Sequence, residues 1–589
     1  MLHKKLILIW LLAAMTGPPV AAQKLPQPAC LGPIGVRDLV KLNPQLTGAT
    51  VLIGMVELCQ PTTADDPGFA FLPDFSHPAF NREGAPELYF YENPHRPART
   101  SAHASMIAGI LTGNDQNGKC EDLGPFYYLG AVPQAGLNVY ETNWFLYHCA
   151  LRVKAKPVKE DVLSISWGAD ANDGITMLWQ NGIDALVVRD SCIIVAGCGN
   201  GQGEISSINK PSWGYNVISV GAAAGLGEFP DNLYYVGPPR AEYSSYGPTD
   251  DGRTKPDVLA GGLCLGPQDD AQASYYRYLG SVSYTSFAAP QVAGVAALLI
   301  DAARQNNIPE GDDPRLIKAL ILNGANKLIG WHKGACTLQD DPYVPLDYRQ
   351  GAGLVNALNS YRQLMAGPYL PQGDPEVEDA GANIGWDLAE VIYDNSSEKN
   401  MKMYHLPRPL EAGRSFKATL TWYRRYQQTG VFAPLPLEKL TLELWSSDKQ
   451  GRLLSRLAYS AGDRDNLQHI YYHNQKKQNA ILIVRADPNE APASAQGVRY
   501  GLAYSDADGN WSGDQFAADF NADGIVDQND LMRFVKVWRV HAENPDLIQQ
   551  SAYLTHLPED INSNGRFDPQ DLNIFLAQWK KRSVWCRGK

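Results

Sequence analysis

Residues 48 to 365 alternate short apolar runs with longer stretches of small residues. The runs "ATVLIGMV", "DVLSIS", "CIIVAG" and "NVISVGA" do not alternate polar and apolar positions. Strands buried on both faces of a parallel sheet have that pattern. The stretches between them, "SAHASMIAGIL", "AAPQVAGVAALLIDAAR" and "DPRLIKALILNGA", read as helices. The expectation is an α/β domain on a parallel sheet, over residues 46–365.

The pattern changes after "GPYLPQGDPEVEDAG", which places a linker at 366–384. In "SFKATLTWY", "KLTLELWSS", "NAILIVRAD" and "VRYGLAYS" the positions alternate, with turn residues between the runs. An antiparallel β-sandwich over 385–505 is predicted. The remainder, 506–589, holds an internal repeat. "DFNADGIVDQNDLMRFVKVW" and "DINSNGRFDPQDLNIFLAQW" begin at 519 and 560, 41 residues apart. At the other end, Lys4 and Lys5 precede the apolar "LILIWLLAAM", and "VAAQ" offers a cleavage point after Ala22. Residues 1–22 read as a signal peptide, with an uncleaved anchor as the alternative, and 23–45 as an N-terminal segment. Export is expected, to the periplasm or the cell exterior. No later segment reads as a membrane span, so no transmembrane segment is expected after cleavage.

Composition narrows the reading. A net charge of -12 over 589 residues supplies no basic surface for phosphates, which argues against nucleic acid as a partner. Nine cysteines in an exported chain imply disulfides, with pairing unreadable from sequence. The number is odd, and Cys586, far from the others, is the one expected to be left over.

Four polar residues stand at the ends of predicted elements. Glu57 closes "TVLIGMVE", His103 opens a small-residue helix, Asn200 lies in "CGNG", and Ser286 precedes "FAAPQVAG". A parallel sheet exposes its functional edge at such ends. These are the residue types acyl transfer requires. A serine hydroxyl needs a base to take its proton, a histidine is that base near neutral pH, a carboxylate orients the histidine, and an amide donor holds the oxyanion.

The region resembles the subtilisin-like serine peptidases (subtilases). "AHASMIAGI" is similar to that family's histidine motif and "YTSFAAPQVAG" to its serine motif. "CGNG" resembles the oxyanion turn, "SISWG" the substrate-pairing strand, and "EYSSYGPTDDGRTKPDVLAGG" and "QGAGLVNA" two structural signatures. The resemblance implies Ser286 as nucleophile, His103 as base, Glu57 as orienting carboxylate and Asn200 as oxyanion donor. It also implies that Ser166 and Gly168 pair with an extended protein or peptide substrate through their backbones, with Trp167 near the pocket before the scissile bond. Packing at a strand end is the alternative for Trp167.

Three positions depart from the family pattern. Glu57 stands where aspartate is usual, leaving Asp65, Asp66 and Asp74 as alternative carboxylates. Tyr284 replaces a glycine. Only 34 residues separate Ala22 from Glu57, too few for a folding pro-domain, so another maturation route is expected. A subtilase fold that has lost catalysis and acts as a calcium-dependent binding or scaffolding protein is the alternative function.

The repeats carry a second chemistry. Calcium loops place oxygen ligands at positions 1, 3, 5, 7, 9 and 12 around a glycine at 6. The first loop supplies Asp519, Asn521, Asp523, the Ile525 carbonyl, Asp527 and Asp530, around Gly524. The second supplies Asp560, Asn562, Asn564, the Arg566 carbonyl, Asp568 and Asp571, around Gly565. Calcium is the expected ion. The segment resembles a small, helical, EF-hand-like dockerin-type domain, which implies a cohesin-like or cell-surface partner.

Overall fold

In a computed structural model, the structure describes residues 27–59, 69–81, 88–91, 98–120, 124–201, 204–223, 240–267, 276–278, 284–328, 331–334, 341–369, 383–490, 497–506, 531, 535 and 569–578. Seven strands form one sheet: β1 (Leu52–Glu57), β2 (Leu88–Tyr91), β3 (Gly136–Glu141), β4 (Val162–Ile165), β5 (Ile193–Gly197), β6 (Ile218–Ala223) and β7 (Val258–Gly261). Their order across the sheet is β7-β6-β5-β4-β1-β3-β2. Every pairing is parallel. Strands β3 to β7 are buried along their whole length, as their unbroken apolar runs require.

Helices cover both faces. On one lie α1 (Val36–Leu42), α2 (Ala102–Thr112), α4 (Thr285–Gln305), α5 (Pro314–Gly324) and α6 (Ala357–Ala366), whose apolar residues share one core with the sheet. On the other, α3 (Gly174–Arg189) packs Trp179, Ile183 and Leu186 against Leu163, Ile165 and Ile194. Cys30, Leu31, Ile34, Val36 and Leu39 are fully buried in the first core. The N-terminal segment is therefore continuous with the α/β body.

One sequence expectation is corrected here. By length and apolarity α4 does qualify as a membrane span, but nearly all of it is buried inside the protein. Burial accounts for its composition, because a helix apolar all round belongs in a core or a bilayer.

Beyond α6, two antiparallel four-stranded sheets face each other. One has the order β8 (Ile384–Ile392), β15 (Gly497–Asp506), β10 (Ser415–Trp422), β13 (Leu467–His473). The other has β9 (Met401–His405), β14 (Asn479–Arg485), β11 (Thr441–Ser447), β12 (Leu453–Ser460). Between the sheets Tyr404, Phe416, Leu442, Leu482 and Leu502 are buried in a core of their own. The calcium-loop residues 519–530 and 560–568 lie outside the described residues. Asp571 falls within the described helix α7 (Pro569–Gln578).

The sandwich is docked, not tethered. Trp386, Leu467 and Ala503 are buried in the α/β core. Gly501 allows β15 to lie against α5, since a Cβ there would come within 2.7 Å of the Arg315 backbone. Polar bonds cross the same boundary. Tyr426 donates to Asp184 at 2.5 Å, the Thr254 N–H to Asp465 at 3.0 Å, and the Arg424 N–H to Asn216 at 2.9 Å. All three acceptors are buried, where losing a partner would leave an unsatisfied group. We expect Leu467→Ala, on the sandwich, to destabilise the α/β body by roughly 2–5 kcal/mol through the cavity it opens. A denaturant midpoint in which both bodies unfold together at lower concentration would bear this out, and an unshifted midpoint would refute it.

Candidate active site

The site forms at the carboxyl edge of the sheet, where β1, β4 and β5 end. Glu57 is the last residue of β1 and is only 2% exposed. His103 lies in the first turn of α2, whose N-terminus is capped by the Ser101 hydroxyl accepting from Ala104 N–H at 3.3 Å. The Glu57 Oε2 lies 2.9 Å from His103 Nδ1. Burial disfavours the imidazolium, but the charge of Glu57 and its hydrogen bond outweigh that, so His103 titrates above the ordinary histidine value of 6.5. The longer glutamate therefore reaches the histidine. Its other oxygen, Oε1, is buried with no hydrogen-bond partner among the described residues. Thr142 Oγ1 donates to the Glu57 carbonyl at 2.6 Å and fixes the backbone from which the side chain extends. Of the alternative carboxylates, Asp74 is turned to the Ser76 N–H and hydroxyl. Asp65 and Asp66 lie outside the described residues.

Ser286 is the second residue of α4. The helix contains Pro290, which has no N–H to donate to the carbonyl four residues earlier. That carbonyl belongs to Ser286. The Ser166 hydroxyl donates to it at 2.8 Å, and the Ser286 hydroxyl donates in turn to the Ser166 carbonyl at 2.9 Å. The two serines are thus locked reciprocally. In this state the Ser286 proton points to Ser166 O, with no hydrogen bond to His103 among those described. His103 is nevertheless a neighbour of the helix head, its ring 6.1 Å from that of Phe287.

Asn200 follows β5 through Gly199, whose φ of +111° favours glycine and whose Cβ would strike Asn209 and Ser245. The Thr285 N–H donates to Asn200 Oδ1 at 2.9 Å. Because an N–H needs an acceptor, the amide oxygen is identified and the NH2 is left to donate elsewhere. Thr285 Oγ1 also accepts from Gly199 N–H at 3.2 Å. This role of Thr285 escaped the sequence reading, although the residue stands in the serine motif itself.

Tyr284 adopts an extended backbone, φ −134° and ψ 149°, and donates its N–H to Gly262 O at 2.9 Å. Nothing in that conformation requires glycine. Trp167 packs 5.4 Å from Trp179 between ring centroids, against the α3-side core. Gly168 leaves room for Asn209, 2.8 Å from where a Cβ would stand.

Residues 66–353 match the model of the subtilase family, peptidase S8. The chain carries a subtilase domain. The match begins after Glu57, so the case for Glu57 as the orienting carboxylate rests on its geometry. Pyrolysin from Pyrococcus furiosus is 31% identical over 277 residues, covering 42% of this chain and 18% of pyrolysin. Subtilisin-like protease SBT6.1 from Arabidopsis thaliana is 28% identical, over 44% of this chain and 22% of its own. Serine protease AprX from Bacillus subtilis is 31% identical, over 34% and 42%. The matched part thus spans less than half of each of these three relatives. The prenylagaramide maturation protease PagA superimposes with a TM-score of 0.36 at 21% identity, over 56% of this chain and 98% of its own.

Shortening the carboxylate tests the reach. Glu57→Asp withdraws it by about one methylene, and a misplacement near 1 Å costs about 10²-fold in rate. We expect kcat/KM to fall by roughly that factor with folding intact. Unchanged kcat/KM would remove Glu57 from the role. In Glu57→Gln the imidazolium loses its partner, so the acid limb of the pH–rate profile should move down from above 6.5. The raised pKa also means that the charged pair favours folding at acid pH, and that this increment is lost as pH rises through the folded value.

Proposed function

We propose that this subtilase is an exported serine endopeptidase that cleaves protein or peptide substrates. The observation that carries the reading is the 2.9 Å Glu57–His103 bond beside a helix headed by Ser286. The substrate backbone pairs along Ser166–Gly168, with its carbonyl over the helix head. Ser286 rotates away from Ser166 O and gives its proton to His103 Nε2 as it attacks. Glu57 stabilises the resulting imidazolium from Nδ1. The tetrahedral oxyanion takes hydrogen bonds from the Asn200 amide and the Ser286 N–H, donors oriented before the charge develops. His103 then protonates the leaving amine, the Ser286 ester is left, and water attacks it by the same route in reverse.

A second reading has one observation in its favour. The Ser286 proton is engaged by Ser166 O, which suits a resting or inactive serine as well as one awaiting substrate. A fluorophosphonate probe separates the two, since it reacts only with a serine activated by its base and oxyanion donors. Active enzyme is labelled stoichiometrically, and Ser286→Ala is not. Absent labelling in folded protein favours the binding or scaffolding role.

The C-terminal repeats support a calcium-binding attachment module, with a cohesin-like or cell-surface protein as its partner and the cell exterior or periplasm as its location. Catalysis draws on no metal in this reading. Calcium should raise the protease resistance of the C-terminal segment, and Asp519→Ala with Asp560→Ala should abolish that gain while leaving fluorophosphonate labelling unchanged. Limited proteolysis in calcium and in chelator measures both, and equal digestion in the two conditions would refute the calcium assignment.

A further inference from the structure

Two cysteines far apart in sequence meet in the α/β core. Cys30 lies on the N-terminal arm and Cys264 just after β7, 234 positions later, and their sulfurs face each other at 2.7 Å. Cys30 is fully buried and Cys264 is 1% exposed. The arm passes close to the end of β7, since a Cβ on Gly261 would stand 3.2 Å from Cys30 Cβ. Other buried cysteines face oxygen instead: Cys198 the Ser245 carbonyl, and Cys192 the carbonyl of Ile193.

We propose that Cys30 and Cys264 are joined in a buried disulfide that clamps the N-terminal arm to the support of the serine helix. The arm is anchored on its other side as well. Gln27 exchanges backbone bonds with Tyr127 and Leu129, both at 2.7 Å, and Arg37 donates to Leu129 O at 2.6 Å. The segment around Cys264 is equally tied. Gln291, on α4, accepts from Gly261 N–H at 3.2 Å and donates to Gly261 O at 2.5 Å and to Cys264 Sγ at 3.4 Å. Gly262 O receives the N–H of Tyr284, two residues before the nucleophile. The bond therefore links the arm to the backbone that sets the head of α4.

Forming it removes one proton from each thiol and two electrons from the pair. The acceptor is the disulfide of a thiol–disulfide exchange protein of an oxidising compartment, which leaves as a dithiol. A loop this long restricts the unfolded chain strongly, so the bond should stabilise the arm.

The test delivers the full chain to a bacterial periplasm on a host leader, so the result does not depend on the chain's own leader. The protein is denatured in N-ethylmaleimide without reductant, digested and weighed. A linked Cys30–Cys264 peptide, two hydrogens lighter than the sum of its parts, is expected. Both cysteines alkylated would overturn the proposal. Reductant should also lower the Tm of the wild type by several degrees and leave that of Cys30→Ser with Cys264→Ser unmoved. Equal shifts in the two proteins would overturn the clamp.

Discussion

Helix α4 has no apolar surface to spare for water. From Phe287 to Ala303 every residue on it is buried, so the protein must surround it on all sides. Strands β4 to β7 lie beneath it, α2 and α6 flank it, and apolar residues of the N-terminal arm share its core. Burial of this kind is favourable by about 25 cal/mol per Å² of apolar area. It also fixes direction. A helix held along its whole length can present only its first turn at the sheet edge, and that turn carries Ser286.

The same burial makes each polar group at the helix head a problem of hydrogen-bond supply. Pro290 releases the Ser286 carbonyl, and Ser166 satisfies it. The Thr285 N–H, which a helix leaves without an internal acceptor, is taken by Asn200. Each solution also orients a polar residue: one fastens Ser286 to Ser166, the residue after β4, and the other fixes the Asn200 amide with its oxygen toward the helix. At the tail of the helix the buried Asp301 accepts from Gly48 N–H at 2.9 Å and Thr50 Oγ1 at 2.7 Å. Structure and site draw on the same few bonds.

Much of this was legible in the sequence, for a physical reason. Strands buried on both faces leave an unbroken apolar signature, and a reactive serine at a buried helix head needs small neighbours, so both show as short strings. What could not be read were contacts between distant residues. The docking of the sandwich rests on pairs such as Asp184 with Tyr426 and Thr254 with Asp465, more than two hundred positions apart. The N-terminal segment looked separate, yet Cys30, Leu31, Ile34, Val36 and Leu39 are buried in the α/β core. Apolarity alone could not distinguish α4 from a membrane span, since a core helix and a spanning helix share a composition. At Tyr284, which stands where the family pattern has glycine, the backbone is extended and accepts any residue.

Glu57 shows how a departure from a family pattern can be accommodated. Moving the carboxylate one methylene further from the backbone requires either a retreat of the strand end or a different path for the side chain. The strand end has not moved out of register. Glu57 pairs with Glu141 at the close of the parallel ladder, and its carbonyl is held by Thr142. The longer chain instead delivers one oxygen to His103 and buries the other with no partner among the described residues. An unsatisfied buried acceptor costs about 1–3 kcal/mol. Against burial, the charge of Glu57 and its hydrogen bond carry the histidine above its ordinary range. A carboxylate shared among several donors would be more stable in place and would hold the imidazolium less strongly. In this site the orienting bond is secured at some expense to the stability of the group that makes it.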